Sequence, residues 1–271
     1  MTELLTERTM FVDGLHLVEH RPSRMPAATP TVLLLHGIGG SARSCTRLAS
    51  ELADAGIHAW SLDAAGYGRS AEPTGPDHDF VADIFTVADA VSPHRPLVLL
   101  GTSWGGVLAL SAAVARPDRV AGLVIADSTR GSGTTSAKAA AMRDRARDMR
   151  TRGSDAVAVE RAPMLVAPGS DPAVAESVRQ SMARLRPEGF GAAAEFMAAT
   201  DHGPRLHQIA CPTMVVVGEY DAATGVPESR LLADRIPDAS FHLIPGAGHV
   251  AIQEQPAAVA SLVVDFLERL S

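Results

Sequence analysis

The chain has 271 residues, 46% of them hydrophobic, and a formal net charge of −7. This length suits one large globular domain or one domain with an insertion, and the negative charge argues against a nucleic-acid partner, because such proteins usually present a basic face. The first ten residues, MTELLTERTM, lack the apolar core of a signal peptide, and no uncharged apolar run reaches the length of a membrane span, so we expect a soluble, cytoplasmic protein without a membrane partner.

Short apolar segments that end in turn residues recur along the chain. Residues 9–19 are typical of an antiparallel hairpin at a sheet edge, with its turn at Asp13 and Gly14. Six later segments are unbroken apolar runs, which predict strands buried on both faces of a parallel sheet: 31–35, 58–62, 97–100, 122–126, 213–217 and 240–244. Helical patterns alternate with them, which predicts crossover connections and a largely parallel α/β sheet: 44–55, 80–91, 104–116, 227–236 and 255–270.

One stretch, residues 130–208, breaks this alternation. It has no strand pattern, and Ala, Met and Arg recur in it at helical spacing. We predict a helical insertion, or cap, at 130–208, and a core formed by 1–129 and 209–271. Flexible methionine side chains such as Met142 and Met164 suit an adaptable pocket wall, although ordinary packing of a helical layer accounts for most methionines here.

A serine lies between two glycines where the run 97–100 ends, in the sequence GTSWGG. Ser103 therefore occupies a strand–turn–helix, the context in which G-x-S-x-G places a nucleophile at a strained turn. Bulky side chains at positions 101 and 105 would clash with the neighbouring strand and helix, and the helix N-terminus presents N–H dipoles beside the hydroxyl. We predict that Ser103 is a nucleophile; an idle serine in a glycine-rich turn is the alternative.

A serine nucleophile needs a base, and the base needs an acid that orients it. His249 is the preferred base, because it follows the last strand in the loop PGAGHVAIQEQP. Asp221 is the preferred acid, because it follows the preceding strand and gives the chain order serine, aspartate, histidine that this kind of sheet requires. Asp127 also follows a strand and stays open as the acid, and Glu219 is a weaker alternative.

An acyl-transfer site also requires backbone donors for the developing oxyanion. We predict the N–H groups of Trp104, directly after the serine, and of Ile38, in the loop LLLHGIGGS, with Gly39 as the second choice in that loop. His36 is expected to brace this loop by hydrogen bonds. The predicted substrate pocket draws on this loop, the serine turn, the insertion and the histidine loop: Gly37, Gly39, Trp104, Met142, Met164 and Val250.

The same loop also fits a different motif. Residues 37–42 match G-x-G-x-x-A between a strand and a helix, and Asp63 follows at the end of the next strand, as in dinucleotide-binding folds. That interpretation makes the protein an NAD-dependent oxidoreductase. We favour a hydrolase, because the oxidoreductase leaves Ser103, Asp221 and His249 unexplained and no Tyr-x-x-x-Lys pair is present. In a hydrolase, Asp63 only anchors the turn DAAGYGRS.

Five segments together resemble the α/β-hydrolase family: HGIGG (36–40), DAAGYGRS (63–70), GTSWGG (101–106), GEYD (218–221) and GAGHVAIQEQP (246–256). They occur in the family's order and span nearly the whole chain. The resemblance implies an eight-stranded, mostly parallel α/β sheet with helices on both faces and a helical cap inserted after the sixth strand, here at about 130–208.

Three further segments are similar to 3-oxoadipate enol-lactonases and related small esterases: RPDRVAGLVIADSTRG, LRPEGFGAAAEFMAATD and IACPTMVVVGEYDAATG. That similarity implies the opening of a lactone or ester that carries a carboxylate. One arginine of the insertion could hold such a carboxylate, while most are expected on a solvated face paired with Asp144 and Asp148: Arg130, Arg143, Arg145, Arg147, Arg150, Arg152 and Arg161.

We therefore predict a serine hydrolase that cleaves a small ester or lactone through an acyl-enzyme, with that small molecule as its partner. Hydrolysis of a C–C bond in a diketone-type substrate uses the same three residues and stays open. A non-catalytic ligand sensor on this fold is the alternative from another class. No metal or organic cofactor is expected, because the mechanism needs none and no HExxH or CxxC motif is present, and Cys45 and Cys211 are expected to be buried thiols.

Overall fold

The protein is described by a computed structural model that covers residues 8–24 and 30–270. The N-terminal residues 1–7, on which the prediction of no signal peptide largely rests, lie outside the described residues. Eight strands form one sheet: β1 (Arg8–Val12), β2 (Leu15–His20), β3 (Val32–Leu35), β4 (Ala59–Leu62), β5 (Leu97–Thr102), β6 (Val120–Ala126), β7 (Thr213–Gly218) and β8 (Ala239–Ile244).

The strand order across the sheet is β1-β2-β4-β3-β5-β6-β7-β8. The hairpin β1–β2 is antiparallel and forms one edge, and β2 is also antiparallel to β4. All other neighbours are parallel. The predicted eight-stranded, mostly parallel sheet with an edge hairpin is confirmed. Its parallel part brings the carboxyl ends of β3 to β8 to one edge of the sheet.

Ten α-helices connect or flank these strands in the described part of the chain: α1 (Thr46–Asp54), α2 (Phe80–Val91), α3 (Trp104–Ala115), α4 (Ser136–Arg152), α5 (Ser154–Arg161), α6 (Pro172–Ala183), α7 (Pro187–Ala199), α8 (Val226–Arg235), α9 (Ala251–Glu254) and α10 (Pro256–Glu268). Short 3₁₀ turns add to them at Ala42–Cys45, Pro117–Arg119, Ala162–Met164 and Gly203–Gln208. No helix in 8–24 or 30–270 is long and apolar enough to cross a membrane.

The parallel strands are buried on both faces, as unbroken apolar runs predict. Leu33 and Leu99 face a cluster shared with α2, α3, α8 and the insertion, whereas Leu34 and Leu100 face a second cluster shared with α1 and α10. Successive strand residues therefore alternate between two cores, which hold the sheet rigid between two helical layers. Cys45 is a buried free thiol and Cys211 a partly buried one.

Helices α4 to α7 lie between β6 and β7, where the sequence predicts a helical insertion. Helix α4 packs on α7, α5 packs on α6, and α7 also contacts α3. The backbone of α7 approaches the loop after β4 so closely that a Cβ on Gly189 would lie less than 3.0 Å from backbone atoms of Gly66. Arg186 strengthens this contact by donating hydrogen bonds to the carbonyls of Gly66, at 3.1 Å, and Ser70, at 2.7 Å. The division into a core and a cap at 130–208 stays a prediction.

The contact between Gly189 and Gly66 can be tested with two glycines of the same helix. Gly189→Ala should lower the free energy of unfolding by about 1–3 kcal/mol, because the added methyl group forces α7 away from the loop. In Gly191→Ala, the new Cβ meets only the end of the Arg150 side chain at 3.2 Å, so the better helix propensity of alanine should leave stability unchanged or higher. Denaturant unfolding of both variants is the measurement, and equal effects would contradict the proposed close contact.

Candidate active site

Ser103 stands on a strained turn between β5 and α3. Its φ angle is +53°, in the left-handed region that L-residues rarely adopt. The turn is held by a 2.9 Å hydrogen bond from the Ser103 N–H to the Ala126 carbonyl and by a 2.5 Å bond from the Ser128 hydroxyl to the Ser103 carbonyl. A Cβ on Gly101 or Gly105 would lie less than 3.0 Å from backbone atoms, so both glycines of the motif are required, as predicted.

The three predicted catalytic side chains meet at the carboxyl edge of the sheet. The Ser103 Oγ lies 3.0 Å from the His249 Nε2, and the His249 Nδ1 lies 3.0 Å from the Asp221 Oδ1. Asp221 follows β7 and His249 follows β8, so the fold brings together residues that are far apart in sequence. His249 and Asp221 are buried, which strengthens the interaction between them because little water screens it.

The hydrogen bonds of Asp221 keep its carboxyl group ionised and fixed in place. Besides His249, the carboxylate accepts bonds from the Thr224 hydroxyl at 2.6 Å and from the N–H groups of Ala223 and Thr224 at 2.8 and 3.1 Å. Burial opposes ionisation, but the bonds from His249 and Thr224 outweigh it and lower the pKa of Asp221. An ionised Asp221 accepts a hydrogen bond from the His249 Nδ1–H, and this tautomer leaves Nε2 free to accept a proton from Ser103.

The two alternative acids have other structural roles. Asp127 is fully buried and accepts hydrogen bonds from the Gly218 N–H at 2.8 Å and the Ala251 N–H at 3.0 Å. Burial, reinforced by the nearby charge of Asp221, raises the pKa of Asp127 to about 7. The Glu219 carboxylate accepts a bond from the Gly246 N–H at 3.0 Å. Asp127 thus ties the end of β7 to the start of α9, and Asp221 rather than either alternative contacts the histidine.

The histidine loop is further held by residues that the sequence did not single out. The His249 N–H donates to the Leu165 carbonyl at 2.8 Å. Glu254 accepts bonds from the N–H groups of Gly248 at 2.6 Å and Ala167 at 2.7 Å. The insertion therefore contacts the histidine directly. The sequence gives no signal for Glu254 and Leu165, because only the folded chain brings them to this loop. Thr224, which bonds Asp221, has a local signal, since aspartate side chains commonly accept bonds from the residues that follow them in a turn.

Two residues that line the cavity beside Ser103, Ile38 and Trp104, have backbone N–H groups without a hydrogen-bond partner within residues 8–24 and 30–270. His36 braces the first loop as expected: its Nδ1 donates to the Gly37 carbonyl at 2.8 Å and its Nε2 accepts from the Ala64 N–H at 3.2 Å. Free backbone donors beside a serine are what an oxyanion hole requires, and the assignment of Ile38 and Trp104 to one stays a prediction.

The cavity over Ser103 has a volume of about 440 Å³, which suits a small organic molecule. All six predicted pocket residues line it: Gly37, Gly39, Trp104, Met142, Met164 and Val250. The Trp104 side chain is itself fully buried and packs on Tyr67 and Phe80, with ring centroids 5.3 and 5.0 Å away. Arg145 and Arg161 of the insertion also line the cavity, and nothing in the sequence distinguishes them from the other arginines there.

Asp63, the residue that a dinucleotide fold would use to bind ribose, is already occupied by protein donors. It accepts bonds from the Ala42 N–H at 2.7 Å, the Arg69 N–H at 3.0 Å and the His16 Nδ1 at 2.8 Å. The carboxylate therefore anchors the turn after β4 to the loop after β3, as the hydrolase interpretation predicts. Within the described ranges, no group of three or more histidine, cysteine or acidic side chains could hold a metal ion.

Comparison with known proteins finds hydrolases, both by sequence and by structure. Residues 26–256 match the model of the serine aminopeptidase S33 family. Over 259 residues the chain is 30% identical to a protein of Variovorax paradoxus that carries the name carbamate hydrolase RutD, covering 91% of this chain and 94% of that protein. A thermophilic esterase from Thermogutta terrifontis has a similar structure, with 28% identity, a TM-score of 0.84 and 97% of each chain covered. The enol-lactonase from Burkholderia xenovorans LB400 shares the fold, with 23% identity, a TM-score of 0.83 and coverage of 96% and 100%.

Replacement of Asp221 and of Asp127 by asparagine should separate the proposed catalytic acid from the aspartate that only holds the backbone. Asp221→Asn should reduce kcat by about 10³- to 10⁴-fold, because an amide no longer fixes the basic tautomer of His249. Asp127→Asn should keep kcat within about tenfold but lower the free energy of unfolding by about 1–3 kcal/mol, because its amide N–H₂ faces a backbone donor. Steady-state kinetics and denaturant unfolding are the measurements, and a larger loss of kcat in Asp127→Asn would reverse the assignment.

Proposed function

Because the chain belongs to the serine aminopeptidase S33 family and is an α/β-hydrolase enzyme, we propose that it hydrolyses small esters or lactones through an acyl-enzyme on Ser103. The observation that carries this proposal is the continuous chain of hydrogen bonds from Ser103 to His249 to Asp221, at 3.0 Å each, beside two free backbone donors. The neighbouring cavity is large enough for a small-molecule substrate.

The first half of the proposed reaction forms the acyl-enzyme. The Ser103 Oγ attacks the carbonyl carbon while His249 Nε2 takes the hydroxyl proton. The carbonyl π electrons move to the oxygen, and the N–H groups of Ile38 and Trp104 stabilise the resulting oxyanion. Asp221 stabilises the imidazolium. The oxyanion then collapses, the bond to the leaving oxygen breaks, and His249 donates its proton to that oxygen.

The second half releases the acid. His249 takes a proton from a water molecule, whose oxygen attacks the acyl carbon and forms a second oxyanion in the same hole. Collapse breaks the bond between the acyl carbon and the Ser103 Oγ, and His249 returns the proton to that oxygen, which re-forms the hydroxyl. In a lactone the leaving oxygen stays attached to the acyl chain, so one hydroxy acid is the product. Every proton that His249 takes, from Ser103 or from water, is thus given back to the leaving oxygen or to Ser103.

The charges of the cavity favour an ester or lactone over a peptide N-terminus as the substrate. An aminopeptidase binds the ammonium group of its substrate, and burial of that charge is costly unless a carboxylate pairs with it. Glu228 is the one carboxylate among the described residues that line the cavity, and it is paired with Arg130 at 3.0 Å. The other charged residues of the lining are Lys138, Arg145 and Arg161, all cations.

The direct test of this function is turnover of a panel of 4-nitrophenyl esters, γ- and δ-lactones and aminoacyl 4-nitroanilides. The wild type should hydrolyse esters or lactones with saturation, and Ser103→Ala should lose at least about 10³-fold in kcat while keeping its circular dichroism spectrum. Hydrolysis of the anilides alone would replace the ester assignment by a peptidase. Full activity in folded Ser103→Ala would contradict the mechanism.

The pH dependence of kcat/KM should report the ionisation of His249. Burial alone would lower the pKa of His249, but the hydrogen bond and the charge of Asp221 outweigh burial and raise it above the ordinary value of 6.5. Only the neutral imidazole accepts the serine proton, so kcat/KM should rise with pH through a limb above pH 6.5. The limb should move to lower pH in Asp221→Asn, and an unchanged limb would contradict the assigned partnership.

A further inference from the structure

Two arginines of the insertion face the cavity of Ser103 without a carboxylate partner. Arg145 lies on α4 and Arg161 is the last residue of α5, and both line the cavity. Among residues 8–24 and 30–270, no carboxylate oxygen lies within 4.0 Å of either guanidinium group. Both side chains are partly buried, so water screens their charges incompletely.

Three other arginines of α4 are neutralised by acidic side chains. Arg143 pairs with Glu195 at 2.6 Å, and Arg147 pairs with Asp144 at 2.8 Å. Arg152 pairs with Asp148 and Glu160. These ion pairs lie on solvated faces, as the sequence predicts for most arginines of the insertion. Arg150 also has no carboxylate partner in the described structure, but it is exposed and does not line the cavity of Ser103. Partial burial in that cavity without a partner therefore distinguishes Arg145 and Arg161.

The surroundings of Arg145 leave its guanidinium group in need of an acceptor. Its Nε is buried without a hydrogen-bond partner in the described structure, its Nη1 contacts only the Met142 Sδ at 3.7 Å, and the Phe190 ring centroid lies 5.9 Å away. Burial, followed by the like charge of Arg161, lowers the pKa of Arg145 to about 10. The group is still charged at neutral pH, and a buried cation without an anion is costly.

The cavity is positive although the protein as a whole is negative. Lys138 adds a third cation to the lining, and Glu228 is neutralised by Arg130. The formal net charge of the chain is −7, so the overall field does not draw anions to the protein. A local cluster of cations inside a concave site focuses an attractive potential there. This charge distribution fits an anionic group bound within the cavity.

We propose that Arg145 and Arg161 form a subsite for a carboxylate that the substrate carries at a distance from the scissile carbonyl. This subsite rests on the proposed ester or lactone hydrolysis and narrows its substrate class to half-esters of dicarboxylic acids and lactones that bear a carboxylate. A guanidinium group offers parallel N–H donors that match the two oxygens of a carboxylate. A carboxylate held between the two groups supplies the acceptor that Arg145 lacks.

The test compares esters that differ only in charge. The substrates are 4-nitrophenyl monoesters of succinic, glutaric, adipic and suberic acid, each beside its methyl-capped diester, with the spontaneous hydrolysis of each compound subtracted. At the best chain length, the wild type should show a kcat/KM about tenfold or more higher for the charged ester than for its capped partner. The preference should fall as salt is added, because salt screens the ion pair.

Variants assign the preference to the two side chains. Arg145→Met and Arg161→Met should each reduce the preference by about threefold or more, the double variant should abolish it, and Arg145→Lys should restore part of it. In all of these variants the capped esters should lose less of their kcat/KM than the charged esters do, and circular dichroism checks that the variants fold. Arg147→Met is the matched control on α4, because its side chain pairs with Asp144 instead of lining the cavity, and it should keep the full preference.

Failure of the subsite and failure of the proposed function have different signatures. Turnover of the capped esters with no preference for the charged ones at any chain length overturns the subsite and leaves ester hydrolysis in place. If neither series is hydrolysed, ester hydrolysis fails, and calorimetric binding of the monomethyl diacids to the wild type decides the subsite. Binding that is lost in Arg145→Met and kept in Arg147→Met supports it, and no binding at any length overturns it.

Discussion

The backbone of Ser103 is the constraint on which the rest of the site depends. A left-handed serine at the end of β5 projects its hydroxyl away from the sheet and starts α3 at the next residue. This geometry is only compatible with glycine at positions 101 and 105, because the backbones of the strand and the helix approach too closely for a Cβ. The strain is balanced by the sheet around it, since β5 is paired on both sides with parallel strands.

The second requirement is that the histidine reaches this serine. His249 lies on a loop without regular structure, and its position is fixed by contacts with three separate parts of the chain. Asp127 holds the N–H of Ala251, Glu254 holds that of Gly248, and the Leu165 carbonyl accepts from His249 itself. Because Leu165 belongs to the segment between β6 and β7 that lines the cavity, that segment also positions the proposed base. We expect changes in the insertion to affect kcat as well as substrate binding.

Much of the fold could be predicted from the sequence, because the unbroken apolar runs of β3 to β8 and the turn at Asp13 and Gly14 are strong local signals. The residues that meet at Ser103 could be predicted because each follows a strand, and parallel strands bring those ends together. The choice between Asp221 and Asp127 could not be predicted, because both follow strands and only the tertiary contacts show which of them bonds His249. The same holds for Arg145 and Arg161, whose unpaired state depends on the packing of α4 and α5.

Active-site labelling with a fluorophosphonate probe, followed by mass mapping of the adduct, tests the central claim that Ser103 is an activated nucleophile. Such probes modify a serine hydroxyl only where a base and an oxyanion hole activate it. The account predicts one adduct on Ser103 in the wild type and no adduct in folded Ser103→Ala or His249→Ala. An adduct elsewhere, or no adduct on the folded wild type, would contradict it.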